Sequence, residues 1–206
     1  MIEITDAIPL LPGYRVLDLS SSMGSFCAKV LRDLGMEVIK IEPPGGDAGR
    51  LEPPFARGHA HREGSLRFAY LNGGKKSLTL DITKARGREI FLDIVAKSDV
   101  VIETFAPGYL AAHNLGYEQL LDKQGKLILV SLTGFGQDGP YADYQAPDIV
   151  GNAMGALLYI SGDPSMTPCN PPETQAYYYA SLMACYGTML ALWQRESRGI
   201  GAWIDT

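Results

Sequence analysis

Cysteine is scarce. Cys27, Cys169 and Cys185 are the three in 206 residues, far apart and without a CxxC spacing, which excludes a disulfide-stapled scaffold and fits reduced thiols in a cytoplasmic protein. No basic-then-apolar lead opens the sequence; Met1 to Asp6 is acidic, so a secretory signal is not expected. Neither charge dominates: 18 Lys and Arg against 23 Asp and Glu leave a net −5, which argues against a general nucleic-acid binder. There is no internal repeat, no low-complexity tract and no P-loop lysine motif. His59, His61 and His113 show no metal-ligand spacing with other donors, so no metal site is expected. The 46% hydrophobic and 20% charged residues are ordinary for a globular protein and exclude disordered and collagen-like classes.

One stretch imitates a membrane span. Residues 174–194 carry no charge, enough to cross a bilayer. Within it, small residues fall at Ala176, Ala180, Ala184, Gly187 and Ala191, and large ones at Tyr179, Met183, Tyr186, Leu190 and Trp193. Both series step by three or four, so each forms a stripe along one helix. The small stripe lets another backbone approach closely, and the reading is a helix of about residues 173–197 buried between protein surfaces, with no membrane association.

The first 42 residues read as strand (14–19), helix (24–34, with Phe26, Val30, Leu31 and Leu34 on one face) and strand (37–42). A helix between two closely spaced apolar strands is a βαβ unit, the building block of parallel sheets in α/β proteins. Residues 43–65 form a long Pro/Gly-rich, charged loop. Further strands are expected at 77–81, 99–104 and 126–132, and a helix at 83–97 with Ile90, Phe91, Ile94 and Val95 inward. A loop at 133–147 leads to a helix starting at Pro147-Asp148 and running toward Leu158. A last strand begins at Ala202, and the reading is that the sequence is the front part of a longer polypeptide.

A βαβ start invites a dinucleotide reading, but that fingerprint needs three glycines. The turn here, Ser20 to Ser25, has one, and Glu42 alone stands where a ribose-binding acid would sit. A basic cluster is more informative: Arg50, Arg57, Arg62, Arg67, Lys75 and Lys76 face only Glu52 and Glu63 in the same stretch. Lys75-Lys76 follows Gly73-Gly74, and amides beside two ammonium groups suit a phosphate-bearing ligand. The alternative is a solvated loop.

Seven stretches, GYRVLDLS (13–20), LRDLGMEVIKIEPPGGD (31–47), YLNGGKKSLTLDI (70–82), SDVVIETFAPG (98–108), LGYEQL (115–120), LILVSLTGFGQDGPY (127–141) and PDIVGNAMGALLYISGDP (147–164), run in one order over nearly the whole sequence. In this the chain resembles the front half of a family III CoA-transferase. The resemblance implies a Rossmann-like parallel sheet with flanking helices and residues 1–206 as the N-terminal portion of a subunit about twice this length. It further implies an interlocked dimer, coenzyme A or acyl-CoA with a carboxylic acid as substrates, and no permanently bound cofactor. Carried over position by position, the CoA contacts fall at Ser22 and Met23, at Leu80 through Thr83, at Thr104 and Phe105, and at Gln145, where some members place a lysine. Pro43 stands where an arginine is common.

The resemblance also implies a departure. These enzymes attack the thioester with an aspartate, forming a mixed anhydride. Counting back from Gly187 puts that position at Tyr177, and a phenol with pKa near ~10 is neutral at pH 7. The upstream histidine position of the racemase branch holds Pro147. The sequence therefore resembles the aspartate-free subunit of heteromeric members such as benzylsuccinate CoA-transferase, paired with a paralogous subunit. The alternatives are Glu173 as substitute nucleophile, one helical turn before Tyr177, and an acyl-CoA-binding or scaffolding protein without turnover.

Overall fold

In the computed structural model, residues 10–206 are described. Strand β1 (Arg15–Leu19) alternates Val16 on one face with Leu17 on the other, and neither is exposed. Strands β2 (Glu37–Glu42), β3 (Lys76–Thr79), β4 (Val100–Glu103), β5 (Ile128–Ser131) and β6 (Ala202–Asp205) complete one sheet in the order β3-β2-β1-β4-β5-β6, and every pairing is parallel. Parallel neighbours require crossovers, and the intervening helices supply them on both faces.

One face carries Val16, Val38, Val100, Ile102, Ile128 and Val130 against α1 (Ser25–Asp33) and α8 (Gln175–Arg198). The other carries Leu17, Ile41, Val101 and Leu129 against α3 (Ala85–Val95), α4 (Tyr109–Ala112) and α5 (Tyr117–Lys123). Burial of each Leu or Phe of these two layers contributes about 1.5–3 kcal/mol. Helix α3 approaches the end of β3 so closely that a Cβ on Gly87 would fall 1.8 Å from the Asp81 carbonyl oxygen. Gly87→Ala is therefore expected to cost about 1–3 kcal/mol through backbone displacement, read as a lower urea midpoint at unchanged m-value.

The expected strands and helices are present with shifted ends. In α1 the deepest residues are Cys27, Ala28 and Leu31, with Phe26, Val30 and Leu34 half-buried. Helix α2 (Leu66–Asn72), capped by the Ser65 hydroxyl on the Phe68 amide, follows the 43–65 loop. The helix expected to run from Pro147 toward Leu158 is broken: α6 (Asp148–Met154) and α7 (Leu157–Ile160) are separated by Gly155 and by Ala156 at φ 62°, a left-handed step that an α-helix does not tolerate.

The small stripe of α8 packs inward, with Ala184 and Ala191 buried, and β6 presses Ile204 toward Gly187, where a Cβ would lie 2.9 Å from Cγ2. The large stripe points to solvent: Tyr179, Met183, Tyr186, Leu190 and Trp193 are each more than half exposed. The helix is thus covered on one side within this chain, not on both. Among the described residues no helix is long and apolar enough to cross a membrane.

Candidate functional site

The chain runs from β1 outward through β2 to β3, then returns to place β4 on the other side of β1. That reversal leaves a crevice at the carboxyl ends of β1 and β4, the place where open α/β sheets take ligands. A cleft of about 240 Å³ occupies it. Ser20 and Ser21 follow β1, Pro43, Asp47 and Ala48 follow β2, Leu80 to Thr83 follow β3, and Thr104 and Phe105 follow β4. The Ser21 amide donates to Thr104 Oγ1 at 2.7 Å, joining the two strand ends. Gly24 is needed there because a Cβ would meet Ser20 Cβ at 2.7 Å and Thr104 Cγ2 at 2.8 Å. Phe105 stacks on Tyr109 with centroids 4.5 Å apart, which gives the cleft an aromatic wall.

Beneath the cleft lies a buried ion network. Lys75 Nζ donates to Asp18 Oδ2 at 2.8 Å, to Asn72 Oδ1 at 2.8 Å and to the Ser25 carbonyl at 3.1 Å. Lys40 reaches Asp47 Oδ2 at 2.9 Å and donates to the Ser20 carbonyl. Burial pushes the Asp18 carboxyl up, but Lys40 and Lys75 outweigh it and hold the pKa below the usual value. Burial lowers the Lys75 pKa, with Asp18 opposing.

The phosphate reading of Lys75 and Lys76 does not match this placement. The Lys75 side chain is 1% exposed and neutralised by Asp18. Lys76 pairs with Glu37 where β3 and β2 begin, at the end of the sheet opposite the cleft. Arg50 is taken by Glu42 and Glu63, and Arg67 by Glu52 and Glu173. The basic cluster is therefore largely spent on internal ion pairs whose acidic partners include Asp18, Glu37, Glu42 and Glu173, outside the stretch that was counted. Glu42, considered for a ribose, is bound by Arg50 through two nitrogens, at 2.6 and 2.8 Å.

Of the carried-over contacts, the structure brings Leu80, Thr83, Thr104 and Phe105 together in the cleft, with Pro43 beside them. Ser22 and Met23 lie on the same turn but point elsewhere. Ser22 donates to Glu52 Oε1 at 2.6 Å, and the Met23 side chain packs against the core layer under α1 and α8. Gln145 is exposed on the 133–147 loop, outside the cleft lining.

Tyr177 lies at a second centre, in the first turn of α8. Its amide donates to Asp148 Oδ1 at 3.2 Å, and its hydroxyl donates to the Ala146 carbonyl at 3.4 Å. Burial, then the Asp148 charge, push its pKa up, so the phenol is neutral. Glu173 is not one turn back on the same helix, as the sequence reading had it. It precedes α8 at φ 62°, is mostly exposed, and lies 3.9 Å from Arg67 Nη1. Arg67 also meets Glu52 at 3.5 Å and Thr174 Oγ1, tying the start of α8 to the β1–α1 turn through Ser22. Pro147 flanks α6, whose Asp148 also accepts from Asn152 at 2.7 Å. Asp148 and Tyr109 escaped sequence reasoning. The first read only as a helix start; for the second, the Phe-x-x-x-Tyr spacing from 105 to 109 was the available signal.

A doubly wound parallel sheet with a largely apolar cleft at its reversal point is the arrangement in which open α/β folds take ligands. The chain belongs to CoA-transferase family III, whose model matches residues 11–206. It is 33% identical to the succinyl-CoA:(R)-benzylsuccinate CoA-transferase subunit BbsE of Thauera aromatica, over 93% of this chain and 47% of that protein. It is 38% identical to the succinyl-CoA–L-malate CoA-transferase beta subunit of Chloroflexus aurantiacus, over 98% of this chain and 49% of that one. The crystal structure of a CAIB/BAIF family protein from Brucella suis superposes with a TM-score of 0.87 at 35% identity, covering 94% of this chain and 52% of the other. The chain spans about half the length of the curated relatives it matches.

Proposed function

We propose that this chain is part of a subunit of an acyl-CoA:carboxylate CoA-transferase, and that this subunit binds CoA without supplying the nucleophile. The observation that carries the reading is Tyr177, a half-buried phenol with a raised pKa; counting back from Gly187 assigns it the position of the family's carboxylate. In that reaction a carboxylate oxygen bonds to the thioester carbonyl carbon, the C–S bond breaks, and CoA leaves as thiolate. A neutral phenol offers no such anhydride. The apolar cleft at the strand ends, with Leu80, Thr83, Thr104 and Phe105, suits the adenine and pantetheine portions of CoA. Two relatives are named as subunits of transferases, which supports a heteromeric assembly with an aspartate-bearing paralogue. The exposed large-residue stripe of α8 supports burial of that face in an interlocked dimer.

The reading is tested with the full-length protein. Alone it is expected to show no CoA transfer; mixed with the paralogue it is expected to turn over, with hydroxylamine trapping the acyl group on the paralogue. Transfer by the protein alone, abolished by Glu173→Gln or Asp148→Asn, would overturn the reading and name the carboxylate. CoA binding with no turnover in any mixture would favour an acyl-CoA-binding role.

A further inference from the structure

Asp18 and Glu42 are buried carboxylates that face cations, Lys75 and Lys40 for the first, Arg50 for the second. Glu103, at the carboxyl end of β4, is 3% exposed and has no ion-pair partner among the described residues. A buried, unpaired carboxylate costs several kcal/mol in effective desolvation, so its local contacts deserve an explanation. Its Oε2 accepts the Phe105 amide at 2.7 Å. Its register neighbour Ser131 carries a hydroxyl that accepts the Trp203 indole N–H at 3.0 Å. Burial pushes the Glu103 pKa up, while hydrogen bonds from Ser131 and Phe105 pull the other way.

The amide that Glu103 holds belongs to the corner that walls the cleft. The Phe105 ring lies stacked on Tyr109, and the preceding residue, Thr104, accepts the Ser21 amide across the β1–β4 crevice. Two consecutive residues thus present one side chain to each flank of the opening, and the peptide between them is fixed from below by one carboxylate. An apolar residue of similar volume would fill the same space at lower desolvation cost, but it would leave the Phe105 N–H without this acceptor.

We propose that Glu103 is a positioning residue of the cleft, holding the Thr104–Phe105 corner in the shape that receives ligand. The inference rests on the reading that CoA occupies this cleft. The full-length protein is compared as wild type, Glu103→Gln, Glu103→Met and Glu103→Ala. Three readouts are taken: CoA affinity by calorimetry, urea unfolding, and hydrogen exchange of the Phe105 amide by NMR. Gln offers an amide oxygen to the same N–H and removes the buried charge. It is expected to keep CoA affinity within about threefold while raising the urea midpoint at pH 8. Met and Ala are expected to weaken CoA binding and speed Phe105 exchange by about tenfold or more, the scale of a lost charge-assisted hydrogen bond. A residue that only fills space would not split in this way.

Folded Met or Ala variants with wild-type affinity and wild-type Phe105 protection would overturn the proposal. So would a freely exchanging Phe105 amide in the wild-type protein, a result that needs no variant to fold. Wild-type protein that binds no CoA, yet protects Phe105 only when residue 103 is Glu or Gln, would overturn the CoA reading and leave the positioning role standing.

Discussion

Lys75→Met is expected to lower the unfolding free energy by about 3–5 kcal/mol, the cost of leaving a buried charge without its partner. Asp18 is 0% exposed, and its remaining cation, Lys40, lies 3.8 Å away against 2.8 Å for Lys75. Lys40 is already engaged by Asp47 and the Ser20 carbonyl, so it cannot shift fully to Asp18. Methionine preserves the stem and removes the ammonium, which confines the change to charge and hydrogen bonding. Lys76→Met is the control: that side chain is 69% exposed and its pair with Glu37 lies at the surface, where such pairs contribute about 0–1 kcal/mol. Urea unfolding followed by tryptophan fluorescence separates the two. Equal, small effects from both would show that the Asp18–Lys75 pair carries no stability.

Acid should remove a second large contribution. Glu42 accepts Arg50 Nε and Nη2, the Asp47 amide and the Ser77 hydroxyl. The Arg50 hydrogen bonds, working against burial, bring its pKa from 4.5 down to about 2. A depressed carboxyl pKa means the unfolded chain takes up the proton first as pH falls. The contribution is complete above the unfolded value and disappears as pH drops toward about 2; its size is about 3 kcal/mol. Stability measured by urea at stepped pH should therefore fall between about pH 5 and 2 more steeply in wild type than in Glu42→Gln. The variant should be weaker at pH 7, and the two curves should meet near the acid end. Curves that stay parallel across this range would remove Glu42 from the account.

Much of the fold could be read from apolar period. β1, α1 and β2 stand where the alternation put them, within one or two residues, because their hydrophobic pattern is local. The break between α6 and α7 was not readable: Ala156 is an ordinary helix former, and only its surroundings impose a left-handed turn. The site divides along the same line. Leu80, Thr83, Thr104 and Phe105 were reached through family resemblance and share one cleft because strand order and direction, non-local properties, bring the carboxyl ends of β3 and β4 to the same end of the sheet. Lys75, expected to face a ligand, is buried for a related reason. A lysine's exposure depends on its acidic partner, and Asp18 lies 57 positions away in sequence. The Asp148–Tyr177 contact spans 29 positions and left no periodic trace.

That contact bears on what a carboxylate at position 177 would meet. The Asp148 carboxylate already occupies the amide of residue 177, in the first turn of α8, where helix geometry favours negative charge. An aspartate placed at position 177 would arrive beside an acid already in place, and two carboxylates at such range raise each other's proton affinity. Tyr177→Asp would therefore place two acids at one helix start, with Arg67 the nearby cation that favours their ionised forms.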